Sequence, residues 1–185
     1  MTKRTSESGP TYRVQFRRRR EAKTDYRKRL KLLLSRKPRV VVRKSNKYIR
    51  MQLVLGDAFG DNTLVSAISS ELKGYDYEGS KCNIPAAYLT GLLFGRKAKK
   101  AGFDEAILDI GLHTPIHGSK VYAALKGAID SGMTLPHDSA VSPSNERIRG
   151  EHIAEFLQKP AIMDNFETVK EKIMSEKKKE VKGTA

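Results

Sequence analysis

A pair of histidines four residues apart is the first feature of this sequence that suggests chemistry. On a helix, His113 and His117 would present two metal ligands on one face. Pro115 lies between them, however, and Gly111 and Gly118 flank them, so we predict that this segment is a loop. A third ligand does not lie nearby in the sequence. We therefore expect no metal site here.

Two further groupings have the residue types of a catalytic triad and of a nucleotide loop. Asp109, His113 and Ser119 are an acid, a base and a nucleophile, but no nucleophile-elbow sequence surrounds the serine. Gly91 and Gly95 lie within a predicted helix, where small residues usually mark close packing, and the chain has no Gly-Lys-Ser/Thr phosphate loop. The sequence therefore predicts neither an enzyme nor a bound cofactor.

Positive charge is a stronger signal, and it is concentrated near the N-terminus. Residues 1–50 contain 19 Lys and Arg against three acidic residues, whereas the whole chain has a formal net charge of +15, so residues 51–185 are nearly neutral. Such asymmetry is typical of a protein with a polyanionic partner. Tyr12, Phe16 and Tyr26 are interleaved with the basic residues and are predicted to stack on bases or to pack on the body. This pattern favours a nucleic-acid ligand, whose phosphates the Arg and Lys side chains would neutralise.

Other interpretations of the basic segment stay open at this point. A solvated or targeting tail would need only a few basic residues. A general nucleic-acid-binding protein would share the charge but would bind duplex DNA as well as RNA. An RNA-modifying enzyme would use the segment to hold its substrate, but it should also show a cofactor loop or a clustered acid–base site.

Composition limits the class of protein. The chain has 185 residues, of which 38% are hydrophobic, enough for one modest core. Its longest mostly apolar run, residues 84–95, is shorter than the roughly 20 residues of a membrane span. A secretory signal is not expected, because no apolar stretch follows the first four residues. Cys82 is the single cysteine, which excludes an internal disulfide and favours a reducing, cytosolic setting.

The basic segment, residues 1–38, is predicted to be an arm whose second half is helical. Residues 1–11 are expected to be disordered, and Pro38 ends the arm. Asp25 is placed to pair with Arg29, four residues further along a helix. The apolar stripe predicted to face the body comprises Tyr26, Leu30, Leu33 and Leu34. Basic residues predicted to lie on another side are Arg20, Lys23, Arg27 and Lys31.

The rest of the chain predicts an α/β (α+β) sandwich, in which a mixed, mostly antiparallel sheet is covered by helices. Its parts are a body, residues 39–140, and a helical C-terminal extension, residues 141–185, whose Lys- and Glu-rich end is expected to be exposed. Short turns between the first three strands predict an antiparallel meander with one covered face. The predicted strands are 40–42, 48–55, 63–68 and 105–110, and the predicted helices are 83–100, 121–132, 145–157 and 165–180.

Five blocks of the sequence, taken in order, resemble one known family. They are FRRRREAKTDYRKRL, PRVVVRKSNKYIRMQ, AAYLTGLLFGRKA, LDIGL and VYAALKGAIDSG. The chain is identified by them as a member of the family of 5S-rRNA-binding proteins of the large ribosomal subunit, universal protein number eighteen, in its archaeal and eukaryotic branch. The match spans residues 12–152. At the position of Ala22, members of this family often have glycine.

The resemblance implies a structural protein of the cytoplasmic ribosome. It implies an α/β body with a basic N-terminal extension that attaches 5S rRNA to the large-subunit rRNA in the central protuberance, next to another 5S-binding protein and further large-subunit ribosomal proteins. FRRRREAKTDYRKRL is implied to be the main RNA contact and the RKSNK turn the second. We assign RNA binding to Tyr12, Arg13, Phe16, Arg17, Arg18, Arg19, Arg20, Lys23, Arg27, Lys28, Lys31, Arg43, Lys44, Ser45, Asn46, Lys47 and Arg50.

Overall fold

A computed structural model of the chain describes residue 9 and residues 12–57 and 60–175. The prediction of disorder for residues 1–11 falls almost wholly outside these ranges. The strands are β1 (Arg39–Lys44), β2 (Ile49–Asp57), β3 (Gly60–Ile68) and β4 (Ile107–Asp109). The α-helices are α1 (Arg17–Arg20), α2 (Tyr26–Leu34), α3 (Ile84–Lys100), α4 (Lys120–Asp130), α5 (Asn145–Arg149), α6 (Glu151–Leu157) and α7 (Ala161–Met174). Short 3-10 helices cover Ser69–Tyr75 and Ser139–Val141.

The four strands form one mixed sheet in the order β3-β2-β1-β4. β2 is antiparallel to both β1 and β3, whereas β4 joins β1 in the parallel direction. The predicted antiparallel meander and the mixed sheet are therefore confirmed. The fourth strand is shorter than the predicted 105–110, because Glu105 forms an isolated bridge with Thr134 instead of pairing with β1.

One face of the sheet carries the core. Val40 and Val42 on β1 and Met51 and Leu53 on β2 are fully buried. Side chains alternate along a strand, so these four share a face, and α3 and α4 cover it. Gln52 lies between two of them in sequence and therefore belongs to the opposite face, which we call the outer face.

Helix α3 runs through the centre of the body. The side-chain oxygen of Asn83 accepts a hydrogen bond from the backbone N–H of Ala86 at 2.8 Å and caps the helix, and Pro85 occupies its first turn. Every residue from Ile84 to Gly95 is buried. The helix is buried on several sides, because α4, α5 and α7 contact α3 where the sheet leaves it open.

The predicted helix over residues 145–157 is divided into two. Gly150 has a φ of +83°, in the left-handed region, so it ends α5 and precedes α6. A side chain there would also meet the ring of Pro85. The break thus lets α5 pack on α3 while α6 packs on α5 and α7.

The last helix is part of the core, so the expectation that it is exposed is wrong for α7. Phe166, Val169 and Ile173 are buried, and the Phe166 ring lies 5.8 Å from that of Tyr88 on α3. These apolar residues follow helical spacing, which the many Lys and Glu residues obscured. The end of the predicted helix, residues 176–180, lies outside the described ranges. Among the described residues, no helix is both long and apolar enough to cross a membrane.

Glycines allow α3 and α4 to approach each other closely. A Cβ atom on Gly91 would collide with the backbone carbonyl of Ala124, and one on Gly127 would collide with that of Tyr88. The interpretation of Gly91 as a packing residue is therefore confirmed. Gly95 differs, because the atom nearest to its added Cβ would be the hydroxyl of Ser131, a side chain.

We predict that Gly127→Ala lowers the free energy of unfolding by about 1–3 kcal/mol, since the added methyl group meets backbone and forces the two helices apart. Gly95→Ala is the matched control and should lower it less, because its shortest contact is the side-chain hydroxyl of Ser131, while the Ser131 Cβ at 2.9 Å and the Ala128 carbonyl oxygen at 3.0 Å need only small shifts. Urea denaturation of both variants and of the wild type gives the comparison. An equal or larger loss for Gly95→Ala would contradict this account of the interface.

Candidate nucleic-acid interface

The arm presents its arginines to solvent. Helix α1 is a single turn made of Arg17–Arg20, and all four residues are exposed, as is Arg13. Glu21 contacts Lys23 at 2.8 Å, and both side chains are well exposed. Exposed pairs of this kind are weak in water. Arg17 of α1 lies 3.9 Å from Glu21, an equally weak exposed pair, so the guanidinium groups of α1 remain accessible to phosphates.

The chain turns sharply between α1 and α2. The side chain of Arg18 donates to the hydroxyl of Thr24 at 2.9 Å, and the backbone N–H of Lys23 donates to the carbonyl of Arg18 at 2.9 Å. Ala22 has a φ of +49°, in the left-handed region that favours glycine. An unfavourable backbone conformation thus lies in the middle of the arm.

Asp25 begins α2 and does not pair with Arg29, so that prediction is wrong. Its carboxylate accepts hydrogen bonds from the backbone N–H groups of Arg27 at 3.0 Å and Lys28 at 3.2 Å. The bond from Lys28 is the main cause that lowers the pKa of Asp25. The reason is geometric: a carboxylate that caps the start of a helix points away from the side chain four residues further on.

The aromatic residues of the arm contact one another. The rings of Phe16 and Tyr26 lie 5.2 Å apart and are tilted by 51°. Tyr26 is half-buried, whereas Phe16 is 71% exposed and Tyr12 is 39% exposed. Phe16 therefore keeps one face on which a nucleic-acid base can stack.

Helix α2 lies on the outer face of the sheet, but its contact face differs from the predicted stripe. Leu33 contacts the C-terminal part of β2, whereas Leu30 is 60% and Leu34 is 72% exposed. Arg29 joins the contact face because two of its nitrogens donate to the two carboxylate oxygens of Asp61, at 2.7 and 2.8 Å. The Arg29–Asp61 ion pair therefore lies at the contact with the body that the predicted stripe assigned to Leu30 and Leu34.

This pair is the first step of a row of alternating charges, which we call the ion-pair ladder. Asp61 also accepts from Arg39 at 2.8 Å, and Arg39 donates to Asp109 at 3.0 Å. Asp109 then accepts from Arg43 at 3.2 Å. In order, the ladder comprises Arg29, Asp61, Arg39, Asp109 and Arg43.

The ladder keeps its groups charged. Arg39 is only 2% exposed and lies between two carboxylates. Hydrogen bonds from Arg29, and then from Arg39, lower the pKa of Asp61, so this carboxylate is ionised at neutral pH. The same pair raises the pKa of Arg29. The ladder therefore links the arm to the sheet through alternating basic and acidic side chains.

An open cleft of about 780 Å³ separates α2 from the outer face. Its floor includes Val41, Gln52 and Val54. Cations line it on the arm side, namely Arg18, Lys23, Lys28 and Lys31. The volume lies within the range of pockets that hold small molecules. Such a surface suits phosphates on the cationic side and a base or sugar on the floor.

The turn between β1 and β2 is held by Ser45. Its hydroxyl donates to the carbonyl of Tyr48 and accepts from the backbone N–H of Tyr48, both at 2.9 Å. The thiol of Cys82 donates to the carbonyl of Ser45 at 2.9 Å. Among the described residues, Asn46 is not one of those with a positive φ. The turn conformation therefore depends on Ser45 and not on the tolerance of Asn46 for the left-handed region.

The side chains around this turn divide into free and engaged groups. Lys44, Asn46 and Lys47 are exposed. Arg50 is exposed as well and stands directly opposite Arg43 in the pairing of β1 with β2. Arg43 is engaged, because its guanidinium donates to the backbone carbonyl and the carboxylate of the ladder's second aspartate. The structure thus places the predicted turn residues together, with Arg43 as their link to the ladder.

The two histidines four residues apart lie in a loop, as predicted. The backbone N–H of Lys44 points to the imidazole of His113 at 3.5 Å, and burial, together with Lys44 and Arg43, lowers the pKa of His113. His117 contacts the carbonyl of Ala140 instead. Within the described ranges, no three His, Cys, Asp or Glu side chains are placed to hold a metal ion.

Comparison with known proteins gives one consistent result. The family model described as "Ribosomal large subunit proteins 60S L5, and 50S L18" matches residues 10–106 and 99–138. The chain is 58% identical to the large ribosomal subunit protein uL18 of Methanococcoides burtonii over 169 residues, which is 91% of this chain and 98% of that protein. Proteins of the same name from Methanothrix thermoacetophila and Methanoregula boonei are 52% and 53% identical, over 90% and 91% of this chain and 98% of each relative.

The chain belongs to this family of large-subunit ribosomal proteins. The resemblance seen in the five sequence blocks is therefore confirmed at the level of the family. Membership makes the chain a structural constituent of the large subunit of the cytoplasmic ribosome and a component of a ribonucleoprotein, not an enzyme.

We predict that Ala22→Gly makes the turn between α1 and α2 more rigid. A left-handed alanine costs about 1–2 kcal/mol, and glycine removes this cost while adding up to about 1 kcal/mol of chain entropy. Amide hydrogen exchange of residues 22–28 in the RNA-free protein should therefore become slower. Ala161→Gly at the start of α7, where the backbone is right-handed, should speed local exchange instead. Faster exchange in Ala22→Gly would show that the turn is not under strain.

Proposed function

We propose that this protein binds 5S rRNA and attaches it to the large-subunit rRNA in the central protuberance. Neighbours there would be another 5S-binding protein and further large-subunit ribosomal proteins. One observation carries the proposal: the arm, the cationic cleft and the basic turn lie on one connected surface. The ladder spans it from Arg29 on the arm to Arg43 at the turn.

The arm supplies affinity in this proposal. Its exposed arginines and lysines neutralise phosphates, whatever the sequence of the RNA, and the exposed ring of Phe16 stacks on a base. The lysines at the cleft, Lys28 and Lys31, approach a second stretch of backbone. An extended cationic surface of this shape spans two RNA segments more readily than a compact patch does.

The turn supplies selectivity. Its backbone is fixed by hydrogen bonds of Ser45 and by the thiol of Cys82, so little order has to be created on binding. The exposed amide of Asn46 can both donate to and accept from base edges and 2′-hydroxyl groups. An amide that the turn itself does not need is therefore available to read a folded RNA.

A salt titration tests the electrostatic part of the proposal. If the surface makes about eight phosphate contacts, the slope of log affinity against log salt for 5S rRNA should be about −6 to −7. Binding is measured by filter retention with a 5S rRNA transcript, an unrelated structured RNA of the same length and a DNA duplex. A slope shallower than about −2, or equal affinity for the DNA duplex and 5S rRNA at physiological salt, would contradict the proposal.

A substitution in the turn tests the selectivity. Asn46→Ala removes the amide and leaves the hydrogen bonds of Ser45 in place, so we expect the preference for 5S rRNA over the unrelated RNA to fall by about fivefold or more, the equivalent of one or two hydrogen bonds. Lys47→Ala is the matched control on the same turn and should weaken binding to both RNAs about equally, because it removes a phosphate contact. An unchanged ratio in Asn46→Ala would place the selectivity elsewhere.

A further inference from the structure

Two carboxylates lie inside the cationic surface that is proposed to meet RNA. The side chain of Asp61 is 33% exposed and that of Asp109 is 10% exposed, and both line the cleft. Each carries a charge of the same sign as a phosphate, so Coulomb forces alone would favour RNA binding if they were absent. Their place in the middle of this surface needs a different reason.

Asp61 joins the arm to the body. Its two parallel hydrogen bonds with Arg29 fix both the distance and the angle of the guanidinium. One of its oxygens also accepts from Arg39, which is buried and held on its other side by Asp109. The acceptor for the arm is therefore itself held in place by the sheet.

Apolar contacts alone hold α2 weakly. Within this helix, all of whose residues are described, no residue is fully buried. Leu30 and Leu34 are mostly exposed, which leaves the half-buried Tyr26, Leu32 and Leu33 as its main apolar contacts with its surroundings. Hydrophobic burial scales with the apolar area removed from water, and this area is small. The position of α2 therefore depends on the pair that Asp61 makes.

We propose that Asp61 is a positioning residue for RNA binding. It holds Arg29 and so fixes α2 against the sheet. This places Lys28 and Lys31 at the cleft in the RNA-free protein. The inference rests on the proposed function in one respect, namely that the ligand is RNA. An arm fixed in advance loses less conformational freedom on binding. An acidic side chain thus raises the affinity of a cationic surface for a polyanion.

The proposal and simple electrostatics predict opposite signs for one substitution. Asp61→Asn removes a negative charge, so a purely Coulombic role predicts tighter RNA binding. If Asp61 positions the arm, the fraction of molecules with α2 in place falls, and the apparent affinity falls in proportion. A drop in that fraction to about a tenth gives about tenfold weaker binding.

The experiment uses the full chain, with a 5S rRNA transcript and an unrelated structured RNA at one fixed salt concentration. We expect Asp61→Asn to bind both RNAs about tenfold more weakly. Asp104→Asn is the matched control, since this exposed aspartate lies outside the ladder and the cleft, and it should bind as well as the wild type or slightly better. Asp61→Asn binding that equals or exceeds that of the wild type overturns the proposal. Failure of the wild type to prefer 5S rRNA would refute the proposed function and leave this comparison intact.

Hydrogen exchange of residues 26–34 in the RNA-free proteins provides the readout that links affinity to position. Exchange there should be faster in Asp61→Asn than in the wild type and in Asp104→Asn. Weaker RNA binding without faster exchange would mean that Asp61 does not act through α2. Thermal melting of each variant reports whether the body stays folded.

Arg29→Lys provides a second route to the same result if Asp61→Asn does not fold. Lysine keeps the charge but loses the paired donors that match a carboxylate, so we expect weaker RNA binding and faster exchange of residues 26–34. Unchanged affinity together with faster exchange would overturn the proposal, because α2 would then be loose without any loss of RNA binding. In an Arg29→Gln background, Asp61→Asn should no longer weaken binding, and a persisting loss would place the effect elsewhere in the ladder.

Discussion

The buried guanidinium of Arg39 is the charge on which the outer half of this molecule depends. A cation that is 2% exposed is stable only when carboxylates replace the water it has lost. Asp61 reaches it from β3, across β2, and Asp109 reaches it from β4 on the other side. Removal of one partner from such a buried pair typically costs about 3–5 kcal/mol. The edge strands must therefore stay in register with β1, and the same two carboxylates then hold Arg29 and Arg43.

The two faces of the sheet are stabilised by different kinds of interaction. On the inner face, α3 and α4 approach so closely that backbone meets backbone at Gly91 and Gly127, and the contact is apolar and insensitive to salt. On the outer face, α2 buries little apolar surface and is positioned by a half-exposed ion pair, which salt weakens. The inner face therefore keeps its packing at any salt concentration, whereas the position of α2 on the outer face depends on ionic strength.

Periodicity predicted the parts of the fold that repeat a short pattern, and contacts distant in sequence decided the rest. The predicted strand 48–55 and the predicted helix 83–100 match β2 and α3 to within two residues at each end. The Arg29–Asp61 pair is separated by 32 residues, and Asp61 lay in a predicted turn, so nothing local connected the two. Arg39 was only the first residue of the predicted body and preceded the predicted strand 40–42, and its burial depends on two carboxylates that lie 22 and 70 residues away in the sequence. The family resemblance implied two RNA-contact segments, but it did not reveal the acids between them.

The uneven distribution of charge along the chain has a structural consequence. The first 50 residues carry a large excess of Lys and Arg, and the ladder's three arginines all come from this part. Its two aspartates come from the nearly neutral remainder. A cationic segment with no acidic counterpart in the body would repel itself and stay away from the sheet. Asp61 and Asp109 pair with the three guanidinium groups of the ladder, which link the arm to the sheet, whereas the arginines of α1 stay exposed.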